Sequence, residues 1–264
     1  MVLMADLFVP LKPVSPGRRI ALGILGFVVV VAVWWAVTAS GLVKPLFLAG
    51  PWATLQAGYA LFFEFGFLND VLVTVGRVLG GFLIASAVAV PLGIVMGAFK
   101  PVEALLEPLI SFARYLPASA FIPLLILWAG VGETQKLSVI FIGAVFQICL
   151  MVAVIVGGVR MELIEAAYTL GAKSRGVVLR VMLPAAAPQI FETLRLVLGW
   201  AWTYVIVAEL IGASAGIGFM IIDAQRFLDT GQMIFGIFVI GVIGLVSDFL
   251  FKQLNQRLFS WAAS

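Results

Sequence analysis

Six stretches of this chain, residues 20–39, 71–99, 115–132, 137–158, 190–212 and 232–251, are apolar over lengths that no water-soluble domain requires. A helix needs about 20 apolar residues to cross the hydrocarbon core of a bilayer, and each stretch reaches or approaches that length. No water is available there to bond backbone N–H and C=O groups, so spanning segments of this kind are helices. The predicted fold class is all-α: one polytopic transmembrane domain over residues 1–264, with six transmembrane helices. Composition agrees, because 63% of the 264 residues are hydrophobic and 11% are charged, against about half and about a quarter in soluble domains. A soluble fold of this size leaves too much surface wet to hide that apolar load, which excludes a cytosolic enzyme.

Basic residues set the topology. Lys12, Arg18 and Arg19 precede the first apolar stretch and Thr38-Ala39-Ser40 closes it, so a cleaved signal peptide has to be weighed. Its length exceeds the roughly 7–15 residues of a cleaved apolar region, and it reads as an uncleaved first helix. With the N-terminus inside, eleven basic residues fall in inner loops: Lys12, Arg18, Arg19, Lys100, Arg114, Arg160, Lys173, Arg175, Arg180, Lys252 and Arg257. Three fall outside, Lys44, Lys136 and Arg226, while Arg77 and Arg195 lie within or near span ends. Loops kept in the cytoplasm collect Lys and Arg, so both termini are expected there. The same bias explains the net charge of +3 and the sequence pI of 9.2 without any nucleic-acid partner. The single cysteine, Cys149, excludes a disulfide within the chain and reads as a packing residue. With no histidine, His-based triads and His-ligated zinc are excluded.

The connections differ in character. Residues 41–70 form an outer segment in which 55–67 read as an interfacial helix. Residues 101–107 read as a short inner helical turn that Pro108 ends or kinks. Residues 213–231 form an outer loop bearing Gly216-Ile217-Gly218-Phe219-Met220. The longest inner segment, 160–189, opens with Met161-Glu162-Leu163-Ile164-Glu165-Ala166-Ala167-Tyr168-Thr169-Leu170-Gly171. Leu163, Ala167 and Leu170 share one helical face. Gly171 stands where a helix end favours positive φ, and Pro184 and Pro188 precede the fifth span. A helix of about ten residues is marginal alone in water, so it needs support from the rest of the chain or from a partner. On pattern alone it reads equally as a plain surface helix joining two spans and as a functional one.

The spacing says more. Glu165-Ala166-Ala167, three residues, Gly171, nine residues, then Val181-Met182-Leu183-Pro184 resembles the EAA loop of ABC importer permeases, the binding-protein-dependent inner-membrane components. That pattern is E-A-A, three residues, G, nine residues, I, one residue, L-P; Val181 replaces its isoleucine and the other named positions match. Leu124-Leu125-Ile126-Leu127-Trp128 with Gly130-Val131-Gly132-Glu133-Thr134, then Ala208-Glu209-Leu210-Ile211 and Gly216-Ile217-Gly218-Phe219-Met220, are similar to the nitrate, sulfonate, taurine and bicarbonate group. The resemblance implies a type I importer permease fold in a bacterial inner membrane. It also implies pairing with a second permease copy, as a homodimer, with two ATP-binding subunits and with an external substrate-binding protein. Glu165, Ala166, Ala167, Gly171, Leu183 and Pro184 then become the ATPase-coupling residues. The chain has no Walker A loop, since Gly171-Ala172-Lys173-Ser174 lacks the glycine before lysine. No cofactor is expected in this chain, and ATP and Mg belong to the partner subunit.

Polar groups at membrane depth are expensive and usually face a cavity or a partner. The pathway or gate candidates are Arg77, Arg114, Tyr115, Ser119, Arg195, Tyr204 and Glu209. Arg77 and Arg195 also read as snorkelling side chains, or Arg195 as half of a local Glu192–Arg195 pair. Arg114, placed at the inner mouth of the third span, reads equally as an anion attractor, a gate or a topogenic charge. Trp200, Trp202 and Tyr204 read as lipid-facing or packing residues before a substrate box. Glu209, flanked by apolar residues, needs a partner. Two other classes are weaker. A secondary transporter would usually need intramembrane acidic or histidine relays, and a membrane enzyme would need a catalytic cluster near one face. The expected cargo is a small oxyanion or sulfonate, the alternative an aromatic acid or a pyrimidine vitamin precursor.

Overall fold

A computed structural model describes residues 14–262; Lys12 lies outside them. The described chain is helical and contains no strand. In order come α1 (Pro16–Ala39), α2 (Pro51–Phe63), α3 (Phe67–Ala98), α4 (Lys100–Ala113), a 3-10 turn (Ala118–Phe121), α5 (Ile122–Ala129) and α6 (Glu133–Gly157). They are followed by α7 (Met161–Thr169), α8 (Ser174–Val177), a π-helical stretch (Val178–Met182), α9 (Leu183–Glu209), α10 (Ile217–Arg226) and α11 (Thr230–Leu258). Five helical runs are long and apolar enough to cross a bilayer: α1, α3, α6, the continuous Ser174–Glu209 and α11. The bent pair of α4 and α5 supplies a sixth.

The core lies where α3, α6 and α9 meet. Gly81, Ala85, Ala89, Gly93 and Gly97 recur every fourth residue along α3, so one buried face carries almost no side chain. A Cβ on Gly93 would stand 2.6 Å from the Cys149 carbonyl oxygen, and one on Gly97 would meet the Ala153 carbonyl. Backbone approach of this kind is how membrane helices gain dispersion contact where lipid removes the hydrophobic incentive. Cys149 is buried there, its Sγ 3.4 Å from Met96 Sδ. By contrast, α1 buries none of its residues; Trp34 holds it, donating from Nε1 to the Ala49 carbonyl at 3.0 Å. The interfacial segment runs as Pro51–Phe63 rather than 55–67 and seats Gly58 against the Phe235 ring of α11.

Three expectations are corrected. The third span is not one helix over 115–132: α4 and the Ala118–Ala129 helix meet at 80°. Pro117 causes the break, because a proline disfavours α conformation in the residue before it, here Leu116. Pro108 does not end a short turn, and α4 continues through it to Ala113; one missing backbone bond costs less in an apolar setting than unravelling the following turn. Nor do Pro184 and Pro188 precede the fifth helix, which already runs from Ser174. The π-helical stretch widens the turn just ahead of Pro184, where a proline ring would otherwise meet the carbonyl four residues back.

The helices define two ends. One gathers the start of α3, the start of α6, the end of α9 and α10; the other gathers the ends of α3 and α6, with α7 and the start of α9. The C-terminal part of α11 reaches the α7 end, where Asn255 lies 3.5 Å from the Pro188 carbonyl.

Candidate functional site

At the end opposite α7, an ionic network, buried except at Glu133, ties four helices together. Glu209, 1% exposed at the end of α9, accepts from Thr74 Oγ1 (2.9 and 3.0 Å), Arg77 Nη1 (2.8 Å) and the Gly218 N–H (2.8 Å). Arg77, 5% exposed, also donates to the Ala215 carbonyl at 2.7 Å and forks onto Glu133 through Nε (2.7 Å) and Nη2 (2.5 Å). Asp70 accepts from the Gly216 N–H at 2.7 Å and Thr74 from the Ile217 N–H at 2.9 Å. Arg77 therefore does not snorkel; it is the partner Glu209 needs. Planar, bidentate donation suits a guanidinium between carboxylates. Burial of Lys136, whose Nζ donates to the Gly132 carbonyl at 3.2 Å, adds a second cation beside the network.

Gly216 makes this closure possible. Its φ of +118° is one that L side chains rarely adopt, and a Cβ there would lie 2.5 Å from Glu209 Oε1 and 2.7 Å from Arg77 Nη1. The segment read as a glycine-bearing loop thus contains α10, which starts at Ile217 and buries Ile217, Met220 and Ala224 on one side. That i, i+3, i+7 spacing was available in the sequence. Beside it, Asp70, Asp223 and Asp229 line a cleft of about 430 Å³ with Phe67 and Phe219.

A second polar site lies along the wall of the bundle, with Tyr115 exposed and Arg114 and Gln147 half-buried. Arg114, Tyr115, Gln147 and Tyr204 border a cavity of about 140 Å³ at the α4–α5 bend. Gly143 and Gln147 lie ten and fourteen residues into α6 from Glu133, roughly 15–21 Å down a helix that rises 1.5 Å per residue. Arg114 is accordingly not at an inner mouth but near mid-height. Gln147 was absent from the sequence candidates, since a lone amide in an apolar run carries no spacing signal. Ser119 is exposed on the 3-10 turn and does not line the cavity. Arg195 is elsewhere: it bonds Asp248 of α11 at 2.7 and 2.9 Å and pairs with Glu192. Trp202, buried, donates to Ser247 Oγ at 3.1 Å. These contacts pin α11 to α9.

At the α7 end, residues 161–169 are helical and Gly171 has φ +83°. The Gly171 N–H donates to the Tyr168 carbonyl at 2.9 Å and the Ala172 N–H to the Ala167 carbonyl at 3.0 Å, the turn that ends a helix through a left-handed residue. The expected apolar face does not close on the bundle. Ala167 is buried with Ile164 half-buried beside it, whereas Leu163 is exposed and Leu170 is 88% exposed. Glu165 and Ala166 also face outward, Leu183 is half-buried and Pro184 is exposed. The Glu162 carboxyl sits below its usual range because its own backbone N–H, and then Arg160 at 3.2 Å, favour the charged form.

Residues 89–260 match the family model described as the binding-protein-dependent transport system inner membrane component. The chain belongs to that family. This permease is 40% identical over 195 residues to a relative in Methanocaldococcus jannaschii, covering 74% of this chain and 73% of that one. It is 33% identical over 249 residues to the taurine transport system permease protein TauC of Escherichia coli, covering 92% and 90%. To the bicarbonate transport system permease protein CmpB of Synechococcus elongatus it is 30% identical over 232 residues, covering 86% and 84%. The inward-facing MetNI methionine ABC transporter superposes with a TM-score of 0.67 at 17% identity, over 72% of this chain and 95% of that one. The architecture is that of a type I importer permease. The chain is thus an inner-membrane, multi-pass transport component rather than an enzyme.

Proposed function

We propose that this permease forms the membrane passage of an ATP-driven, binding-protein-dependent importer for a small oxyanion or sulfonate. Likeness to the taurine permease over nine-tenths of both chains carries the reading. The α7 geometry supports coupling: a nine-residue helix, seated on the bundle through buried Ala167 with Ile164 half-buried, leaves Leu163 and Tyr168 exposed, and Leu170 just beyond its end is exposed too. Surface of that kind on a short helix suits a cleft in an ATP-binding subunit, with Ala166 permitting close approach, Glu165 offering a charge and Gly171 turning the chain away. ATP and Mg reside on that partner. A second permease copy, as a homodimer, and an external binding protein complete the assembly.

The α7 end faces the cytoplasm in this reading. Arg114 leaves the inner count because it sits near mid-height of the bundle, and Lys12 lies outside the described residues. The nine that remain still outnumber Lys44, Lys136 and Arg226. The test is uptake by the assembled transporter of labelled taurine, methanesulfonate and bicarbonate, beside an aromatic carboxylate and a pyrimidine. Import of an oxyanion or sulfonate that stops without ATP and survives collapse of the proton gradient is expected. Import driven by the gradient alone points to a secondary transporter, and import only of the pyrimidine or aromatic acid moves the cargo to that branch.

A further inference from the structure

We infer that the cavity at the α4–α5 bend is an oxyanion-binding way-station on the transport route, formed by Arg114, Tyr115, Gln147 and Tyr204. The inference rests on the oxyanion reading above and adds to it the place where the permease itself holds the cargo.

Arg114 differs from the other two arginines of the bundle. Arg77 forks onto two carboxylates and Arg195 has Asp248 and Glu192, but among the described residues no carboxylate pairs with Arg114. Its Nε, like that of Arg195, is buried with no hydrogen-bond partner, but Arg195 has two carboxylates on its other nitrogens and Arg114 has none among the described residues. An arginine near the middle of a membrane bundle is costly unless something anionic meets it, and such residues mark ion and substrate routes. An oxyanion meets that need, because a guanidinium presents its donors in the fork that two oxygens of a sulfonate or carboxylate accept.

The surroundings select for one small anionic head. The Tyr115 ring lies under the guanidinium at 4.8 Å, and its hydroxyl accepts from Nη2 at 2.9 Å, which fixes the direction of the fork. Gln147 and Tyr204 add neutral donors from two further helices. Gly143 sets the shape: a Cβ there would lie 2.5 Å from the Tyr204 ring, so the ring can lie against α6 only because that position is bare. The cavity of about 140 Å³ has the room of about five water molecules at their liquid volume of about 30 Å³ each, enough for an oxyanion head without its hydration shell. One cation with neutral donors also holds an anion weakly enough to release it, as conduction requires. The cleft at the α10 end, lined by Asp70, Asp223 and Asp229, has no cation in its lining to hold the same cargo.

The experiment uses the complete transporter, permease with its ATP-binding and binding-protein partners, in proteoliposomes. Uptake of labelled taurine, methanesulfonate and bicarbonate is measured, and binding of methanesulfonate to the purified membrane complex is compared with that of dimethyl sulfone, its uncharged counterpart. Arg114→Gln is expected to lower uptake and methanesulfonate binding about 10- to 100-fold, the worth of a hydrogen bond to a charged group. Arg114→Lys, which keeps the charge without the fork, should restore part of the loss. Tyr204→Phe keeps the ring on Gly143 and removes only a neutral donor, so a loss of about 3- to 10-fold is expected even if the arginine variants fail to assemble. Wild-type import of an oxyanion together with unchanged uptake and binding in Arg114→Gln, or in Tyr204→Phe if Arg114→Gln does not assemble, overturns the way-station and leaves the oxyanion reading standing. Equal binding of dimethyl sulfone and methanesulfonate overturns the anionic character of the site. A wild-type transporter that imports none of the three anions overturns both readings together.

Discussion

Glu209 receives hydrogen bonds from a guanidinium, a hydroxyl and a backbone N–H, while Arg77 serves Glu209 and Glu133 at once. The consequences of losing each partner are unequal. Arg77→Met leaves a buried carboxylate with neutral donors only, and about 3–5 kcal/mol of destabilisation is expected from an uncompensated buried charge. Glu209→Gln keeps a carbonyl oxygen for Thr74 or Gly218 and leaves Arg77 on Glu133, so about 1–3 kcal/mol is expected. Thermal unfolding of the detergent-purified permease should therefore rank Arg77→Met below Glu209→Gln, with wild type above both; the reverse order would mean that the bonds of Glu209 to Thr74 and Gly218, not its pairing with Arg77, hold the network together. Gly216→Ala should resemble the milder variant, since its Cβ would press on both partners. The sequence flagged Arg77 and Glu209 separately as charges in apolar company. Their pairing across 132 residues has no local signature, and it becomes visible only when the helix ends meet.

Helices show a similar division between what periodicity reveals and what it hides. The α7 helix and its stop were legible because capping is local: the 163–167–170 pattern and Gly171 act within a few residues of one another. The bend of the third span was hidden because hydropathy averages over a window and cannot see that Leu116 is forced out of the α region by Pro117. Which side of α7 the bundle covers was equally hidden, because Leu163 and Leu170 are as apolar as the buried Ala167. If the exposed side is the coupling surface, Gly171→Asp should uncouple the transporter by straining a φ of +83° and adding a charge. ATP-driven uptake should fall while membrane abundance holds, and normal uptake at equal abundance would remove Gly171 from the coupling machinery. The α3 stripe is also periodic. Val at Gly93 would drive a branched side chain into the Cys149 carbonyl and Val152, and overpacking of this sort costs about 1–3 kcal/mol. Gly93→Val should lower the unfolding midpoint clearly, whereas Gly241→Val on α11, where a Cβ meets nothing within 4 Å, should barely move it.

For the molecule as a whole, the two ends carry different chemistry and the membrane orientation follows from that difference. The α7 end collects Lys100, Arg160, Lys173, Arg175, Arg180, Lys252 and Arg257, whereas acidic Asp70, Asp223 and Asp229 gather at the other. Basic loops are retained in the cytoplasm during insertion, and acidic ones contribute little to orientation. The α7 end should therefore be cytoplasmic, with α2 and α10 outside. The chain suits a labelling test because its single cysteine, Cys149, is buried in the α3–α6 core and contributes little background. In a Cys149→Ala background, Ser174→Cys at the exposed start of α8 should react with a membrane-impermeant maleimide only in inverted membranes or after permeabilisation. Arg226→Cys, at the end of α10, should react in intact cells from which any outer envelope layer has been removed. The opposite pattern would place the coupling helix outside the cell, where no ATP-binding subunit could reach it, and would refute the importer reading along with the orientation. The test thereby joins the charge distribution, which every span inherits, to α7, the one surface on which the proposed energy coupling depends.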